Sequence, residues 1–259
     1  MHFLKYIFLF LSISSFSQEE IILDFIEKTP LKASLISKLD TFGTLFYTQN
    51  NSLIKKDNNG ELRYSNIQLG NITSVDTYNP LKINAFYRDF NTVVILDNRL
   101  AEITLIDFNT LSPYRNITHV SVANDNTVWV FNQDAQQLEV YDYKNDNTRV
   151  ETLPIQGEVL DLKSNFNLCW VITKTHIYSY NYFGSLISKT ENNGFTRLAE
   201  SNENLVFLKE GKLYLKTKNS SEFQLLKLPE LLINQFFVTD ETLYIYDGDF
   251  LYKYHLKIQ

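Results

Sequence analysis

The chain has 259 residues, of which 44% are apolar, 14% aromatic and 21% charged, and it carries a formal net charge of −6. Mild acidity with scattered Lys and Arg excludes a nucleic-acid surface built on basic patches. A single cysteine, Cys169, excludes an intrachain disulfide framework, so an exported fold of this chain has only packing to stabilise it.

The N-terminal stretch reads as a targeting segment. Lys5 supplies a short positive region, Tyr6 to Ile13 an apolar run, and Ser15-Phe16-Ser17 the small residues that a signal peptidase reads, which predicts cleavage before Gln18. The run is too short to span a bilayer, and no cysteine follows it to accept a lipid. Residues 1–17 are therefore expected to be a signal peptide and residues 18–259 a single domain without a transmembrane segment. That domain would carry 23 basic and 30 acidic residues.

The next run, Ile21 to Ile26, fits a strand or a helical turn equally well. Beyond it one short pattern recurs six times: Gly43-Thr-Leu-Phe46-Tyr, Asn91-Thr-Val-Val94-Ile, Asn126-Thr-Val-Trp129-Val, Asn167-Leu-Cys-Trp170-Val, Asn204-Leu-Val-Phe207-Leu and Glu241-Thr-Leu-Tyr244-Ile. The starts are 48, 35, 41, 37 and 37 residues apart. Strand segments such as Leu138 to Tyr143 and Leu213 to Lys216 place apolar residues two apart, as a sheet with two distinct faces requires. An all-strand repeat near forty residues is the signature of propeller blades. The fold class expected is all-β, a six-bladed β-propeller of four-stranded antiparallel blades.

Blade one is expected over 33–69, with strands near 33–38, 43–49, 52–57 and 61–67 and an Asn59-Gly60 turn suited to positive φ. Blade two, over 70–116, is irregular: Ile72 to Pro80 reads as an insertion, Lys82 to Tyr87 as the inner strand and 110–116 as a short outer strand. Blades three, four and five follow over 117–153, 158–191 and 195–229. Blade six, 232–257, has room for only three strands, so residues 20–28 are expected to complete it and close the ring without an open edge. The aromatic height of the second strands is expected to be core rather than a stacking surface.

The hairpin Val128-Trp129-Val130-Phe131 with Leu138-Glu139-Val140-Tyr141-Asp142 resembles exported bacterial propellers of the NHL, TolB and BamB-like class. The chain lacks the Trp-Asp and Gly-His signals of WD40 repeats and the paired aromatic-glycine signals of Kelch repeats. The resemblance implies a scaffold whose loops or channel hold a partner, and the fold alone implies no activity.

No catalytic or phosphate-cradling spacing is present in the sequence. His119, His176 and His255 fall in three different blades, so no metal site or cofactor is expected from them, and Cys169 reads as a small buried residue. Two candidate sites remain. Asn84, His119, Asp161, Arg197 and Gln235 (with Asn234 beside it) recur six or seven residues before the repeat starts and would line a channel mouth, binding a small ligand or serving a metal-dependent hydrolase. A single carboxylate beside an arginine is a poor cation site, and polar channel lining is the simpler reading. The irregular segment offers Tyr78, Phe86, Tyr87, Arg88 and Phe90 as a partner surface, with residue types common at interface hot spots. The leading expectation is a non-catalytic, monomeric exported scaffold binding an envelope protein in the periplasm or at the outer membrane.

Overall fold

The computed structural model describes residues 21–257, and the expected signal segment lies outside them. The described chain forms a ring of six four-stranded antiparallel blades, with one further short strand paired at its edge. Blade one is β3 (Leu35–Leu39), β4 (Leu45–Gln49), β5 (Ser52–Asp57) and β6 (Gly60–Tyr64). Blade two is β7 (Ser74–Asp76), β8 (Ile83–Tyr87), β9 (Thr92–Leu96) and β10 (Glu102–Asp107), and blade three β11 (Ile117–Val122), β12 (Thr127–Asn132), β13 (Gln137–Asp142) and β14 (Asn147–Glu151). Blade four is β15 (Val159–Ser164), β16 (Leu168–Thr173), β17 (His176–Asn181) and β18 (Leu186–Glu191). Blade five is β19 (Arg197–Ser201), β20 (Asn204–Lys209), β21 (Lys212–Lys216) and β22 (Gln224–Lys227). Blade six has only β23 (Gln235–Thr239), β24 (Thr242–Tyr246) and β25 (Phe250–His255) from its own stretch of chain.

The N-terminal run supplies the missing strand, as expected. β2 (Asp24–Pro30) pairs antiparallel with β25, from Asp24 opposite His255 to Pro30 opposite Phe250. The run also does something unforeseen: β1 (Ile21–Ile22) pairs in parallel with β22 of blade five. Leu23, between the two, is buried in the cluster shared by blades five and six. One ten-residue stretch thus fastens two neighbouring blades.

Hydrophobic burial follows the ring. Six apolar clusters each join one blade to the next: Phe46 and Val94 in the first pair, Phe86 and Val130 in the second, Trp129 and Val171 in the third, Trp170 and Phe207 in the fourth, Val206 and Leu243 in the fifth, Tyr244 and Ile54 in the last. The repeated aromatics are buried, as their core reading requires. They do not form one uniform layer, because Trp129, Trp170, Phe46 and Tyr244 face the following blade while Phe207 faces the preceding one.

Blade two corrects the sequence reading. Its innermost strand is Ser74–Asp76, inside the stretch read as an insertion, and Ile83–Tyr87 is the second strand, with all five residues buried. Asn91 therefore opens the third strand, not the second. Its match arose because Asn91 closes the β8–β9 hairpin in the left-handed conformation, so Asn91-Thr-Val follows a turn as the true repeats do. β7 has three residues with two polar ones, too short to show alternation. With the frame corrected, second strands start at 45, 83, 127, 168, 204 and 242. Residues 110–116 form a connection rather than an outer strand, and the last strand of blade one ends at Tyr64 rather than 67.

Many blade turns share one device, an Asp or Asn whose Oδ1 accepts backbone N–H groups two to four residues ahead. Asp40 takes Phe42 N and Thr44 N, Asp97 takes Arg99 N and Ala101 N, Asn181 takes Phe183 N and Ser185 N, and Asp247 takes Asp249 N and Phe250 N. The chain's richness in these residues thus pre-folds the hairpin ends.

Candidate functional site: the two ends of the channel

Inner strands run side by side around the axis, so the channel has one mouth where they start and another where they finish. The sequence-derived candidates cluster at the first. His119, Asp161, Arg197 and Gln235 lie on β11, β15, β19 and β23, near their starts. Each of the last three is spent on the next blade. Asp161 Oδ2 accepts Leu198 N at 2.8 Å, Arg197 Nη1 donates to Asn234 O at 2.7 Å, and Gln235 bridges to blade one, accepting Ile36 N at 2.7 Å and donating to Ser34 O at 3.0 Å. His119 is held by its neighbour, with Nδ1 3.0 Å from Thr118 Oγ1. Burial lowers the pKa of its imidazole. Arg88 and Lys163 push the same way, and the Asp161 carboxylate offsets part of the shift. Asn84 is not at this mouth. It sits on the second strand, opposite Asp76, with its Nδ2 buried and without a hydrogen-bond partner among the described residues.

The proposed partner residues do not form one surface. Phe86 and Tyr87 are buried in interblade clusters, because the strand that carries them is internal. Arg88 and Phe90 are exposed on the β8–β9 hairpin, at the end where inner strands start. Tyr78 is exposed on the turn after β7, at the opposite end.

That opposite end holds a cavity of about 370 Å³. Its wall comes from the finishing halves of the inner strands and the turns after them, drawn from blades one, two, four, five and six. Tyr78 stands at its edge with its ring edge-on to Phe166 of blade four, centroids 4.9 Å apart, and Phe42 of blade one is 85% exposed beside it. Asp76 accepts three hydrogen bonds, Oδ2 from Ser121 Oγ at 2.7 Å and Val122 N at 2.8 Å, and Oδ1 from Tyr78 N. Glu200 Oε1 accepts Asn165 Nδ2 at 3.1 Å and Glu203 N at 2.9 Å. Burial raises the pKa of the Glu200 carboxyl, and the negative charges of Asp76 and Glu203 add to the rise, while its two hydrogen bonds work against it. Tyr78 is raised by burial and by the same acidic group.

The sequence candidates His119, Asp161, Arg197 and Gln235 lie six or seven positions before their repeat starts, where the inner strands begin, and so do not reach this mouth. The signal was present next to the repeats, in the turns that immediately precede Gly43, Asn167, Asn204 and Glu241 and that carry Asp40, Phe42, Phe166, Asn202 and Asp240. Among the described residues no group of three or more His, Cys, Asp and Glu is arranged to hold a metal ion, and Cys169 is wholly buried, which raises its thiol pKa.

No helix among the described residues is long and apolar enough to cross a membrane. No protein-family model matches the sequence, and no curated protein matches it. Solved structures do match in shape. A catalytically inactive variant of virginiamycin B lyase from Staphylococcus aureus, crystallised with quinupristin, superposes with a TM-score of 0.61 at 12% identity over 86% of this chain and 80% of that one. A chain of the mitotic checkpoint complex gives 0.61 at 10% identity, covering 98% and 99%. The Neurospora crassa Pan2 WD40 domain gives 0.57 at 9%, covering 88% and 76%. At these identities the likeness is one of fold, and the chain is a six-bladed β-propeller.

Proposed function

We propose that this propeller is a non-catalytic exported scaffold that binds another protein of the cell envelope through the end of the disc where its inner strands finish. The carrying observation is the group of exposed rings there: Phe42 and Tyr78 line one concavity from two blades, and Phe166 of a third packs edge-on against Tyr78. Exposed aromatics around a concave centre are the residue type and shape on which protein interfaces concentrate their binding energy. A propeller of similar fold is named as a chain of the mitotic checkpoint complex, which supports the same use of the architecture. Export rests on the N-terminal segment with its apolar run Tyr6 to Ile13 and the small residues Ser15 and Ser17.

The alternative, a hydrolase or ligand site at the other mouth, has less support. Asp161, Arg197 and Gln235 already spend their polar groups on neighbouring blades, and a catalytic group needs free lone pairs or protons aimed at a substrate.

The test is co-purification from gently solubilised envelopes with the wild-type chain and with a Phe42→Asp, Tyr78→Ala variant. A partner retained by the wild type and lost by the folded variant is the expected result. Equal recovery from both, or recovery of this chain alone, contradicts the reading.

A further inference from the structure

The cavity where the inner strands finish is lined by charged side chains that the proposed partner contact does not use. Lys38 of β3 and Lys163 of β15 both line it. They stand at matching levels, Lys38 opposite Phe46 and Lys163 opposite Trp170, each one pair before its ladder ends. Blades one and four are three places apart in a ring of six, so the two ammonium groups come from opposed walls. Among the described residues neither lysine has a hydrogen bond or an ion pair.

The same cavity also presents carboxylates, from the inner strands as well as from the turns after them: Asp76 accepts Ser121 Oγ and Val122 N of β11 at the level of the lysines. Asp40 is tied by Oδ1 to the backbone of its own turn, and Asp240 Oδ1 accepts Asn202 Nδ2 at 3.2 Å. Glu200, one pair before the end of its own ladder, accepts Asn165 and Glu203 through Oε1 only, leaving Oε2 without a protein partner among the described residues. The cavity therefore offers lysine ammoniums and carboxylate oxygens that have no protein partner among the described residues, with Phe46 and Phe236 supplying apolar wall. Its volume is within the range of small-molecule sites.

A ligand that satisfies both kinds of group carries an anionic end and a cationic end. We propose that this cavity is a binding site for a zwitterionic amino acid or short peptide, with Lys38 and Lys163 taking the carboxylate and the cavity's carboxylates, Glu200 foremost, taking the ammonium group. Charge-assisted hydrogen bonds would hold both ends of the ligand, and the rotatable lysine ammoniums suit a carboxylate that arrives between them. The inference does not depend on a protein partner, and capture from envelopes can succeed or fail independently of it.

Triglycine is the probe, measured by calorimetry on the full chain at low ionic strength against its C-terminal amide and its N-acetyl form. We expect one triglycine per chain, with affinity at least tenfold weaker for each blocked form. Lys38→Met and Lys163→Met should each weaken triglycine at least tenfold and leave the amide unchanged. Absence of triglycine binding overturns the proposal, and so does an amide that binds as well as the free acid. The blocked ligands keep the test decisive even if a lysine variant fails to fold, because they use the unaltered protein.

Discussion

Arg115 shows how much a single buried residue can hold in this ring. Its Nε meets Glu139 Oε2 at 2.7 Å, Nη1 donates to Pro113 O and Nη2 to Thr148 Oγ1, and Asn132 Nδ2 supplies Glu139 Oε1. Both side chains are almost wholly buried, at 8% and 5% exposure. Arg115→Met strands a buried carboxylate and should cost about 3–5 kcal/mol in urea unfolding, whereas Arg115→Met with Glu139→Leu should recover most of the loss. None of this was legible in the sequence. Arg115 fell in a segment read as an outer strand, and nothing in its neighbours marks a partner 24 positions away.

His119 gives a pH signature at the same scale. Its folded pKa lies below the ordinary value of about 6.5, so the unfolded chain binds the proton more tightly. The contribution is complete above about pH 6.5 and is lost as pH falls toward the folded value. Glu200, raised by burial, works in the opposite sense: its protonated form is favoured in the fold, so its contribution improves as pH falls toward the carboxylate range. Thermal unfolding midpoints should therefore fall less between pH 7 and pH 5 in His119→Gln than in the wild type, and fall more in Glu200→Gln. Parallel wild-type and His119→Gln curves would remove the histidine from the account.

Among the elements, the strap made by β1 and β2 is the least ordinary. Every residue of β2 is exposed, so its place is set by the ladder with β25 and by a few side-chain contacts. Lys28 lies over the rings of Phe250 and Tyr252, at 3.9 and 4.9 Å from their centroids, and Lys253 approaches Glu27 at 3.5 Å. Leu23 adds a buried apolar anchor in the cluster shared by blades five and six. A chain lacking residues 21–30 should lose hydrogen-exchange protection across β25 and β22 first, while blades two and three keep theirs. The strap's role in blade six followed from counting strands, because a blade with three of its own needs a fourth from elsewhere. Its reach into blade five did not, since two residues in parallel pairing leave no periodic trace. Blade two failed for a related reason: a three-residue inner strand gives no alternation to read, and the Asn91 turn imitated a repeat start.

On the scale of the molecule, the six apolar clusters form a closed circuit in which each blade is stable only against two neighbours. The repeat period made that circuit legible, because one aromatic or apolar residue returns at each blade. The polar channel residues read from the sequence lie at the mouth where the inner strands start, and there the structure assigns Asp161, Arg197 and Gln235 to interblade bonds. The cavity at the other mouth depends on which side chains from different blades converge, and a one-dimensional pattern does not carry that information. Both functional proposals stand on the ring being closed, since an open seam between blades six and one would splay Asp40, Phe42 and Asp240 apart.

The closure is tested most directly by a Glu27→Cys, Lys253→Cys chain, because these residues face each other across the strap ladder and the native Cys169 is buried. The closed ring predicts a disulfide that forms on mild oxidation, couples the two ends of the chain, and raises unfolding stability by up to about 5 kcal/mol relative to the reduced form. Thiols that stay independent in the folded, oxidised protein would contradict it.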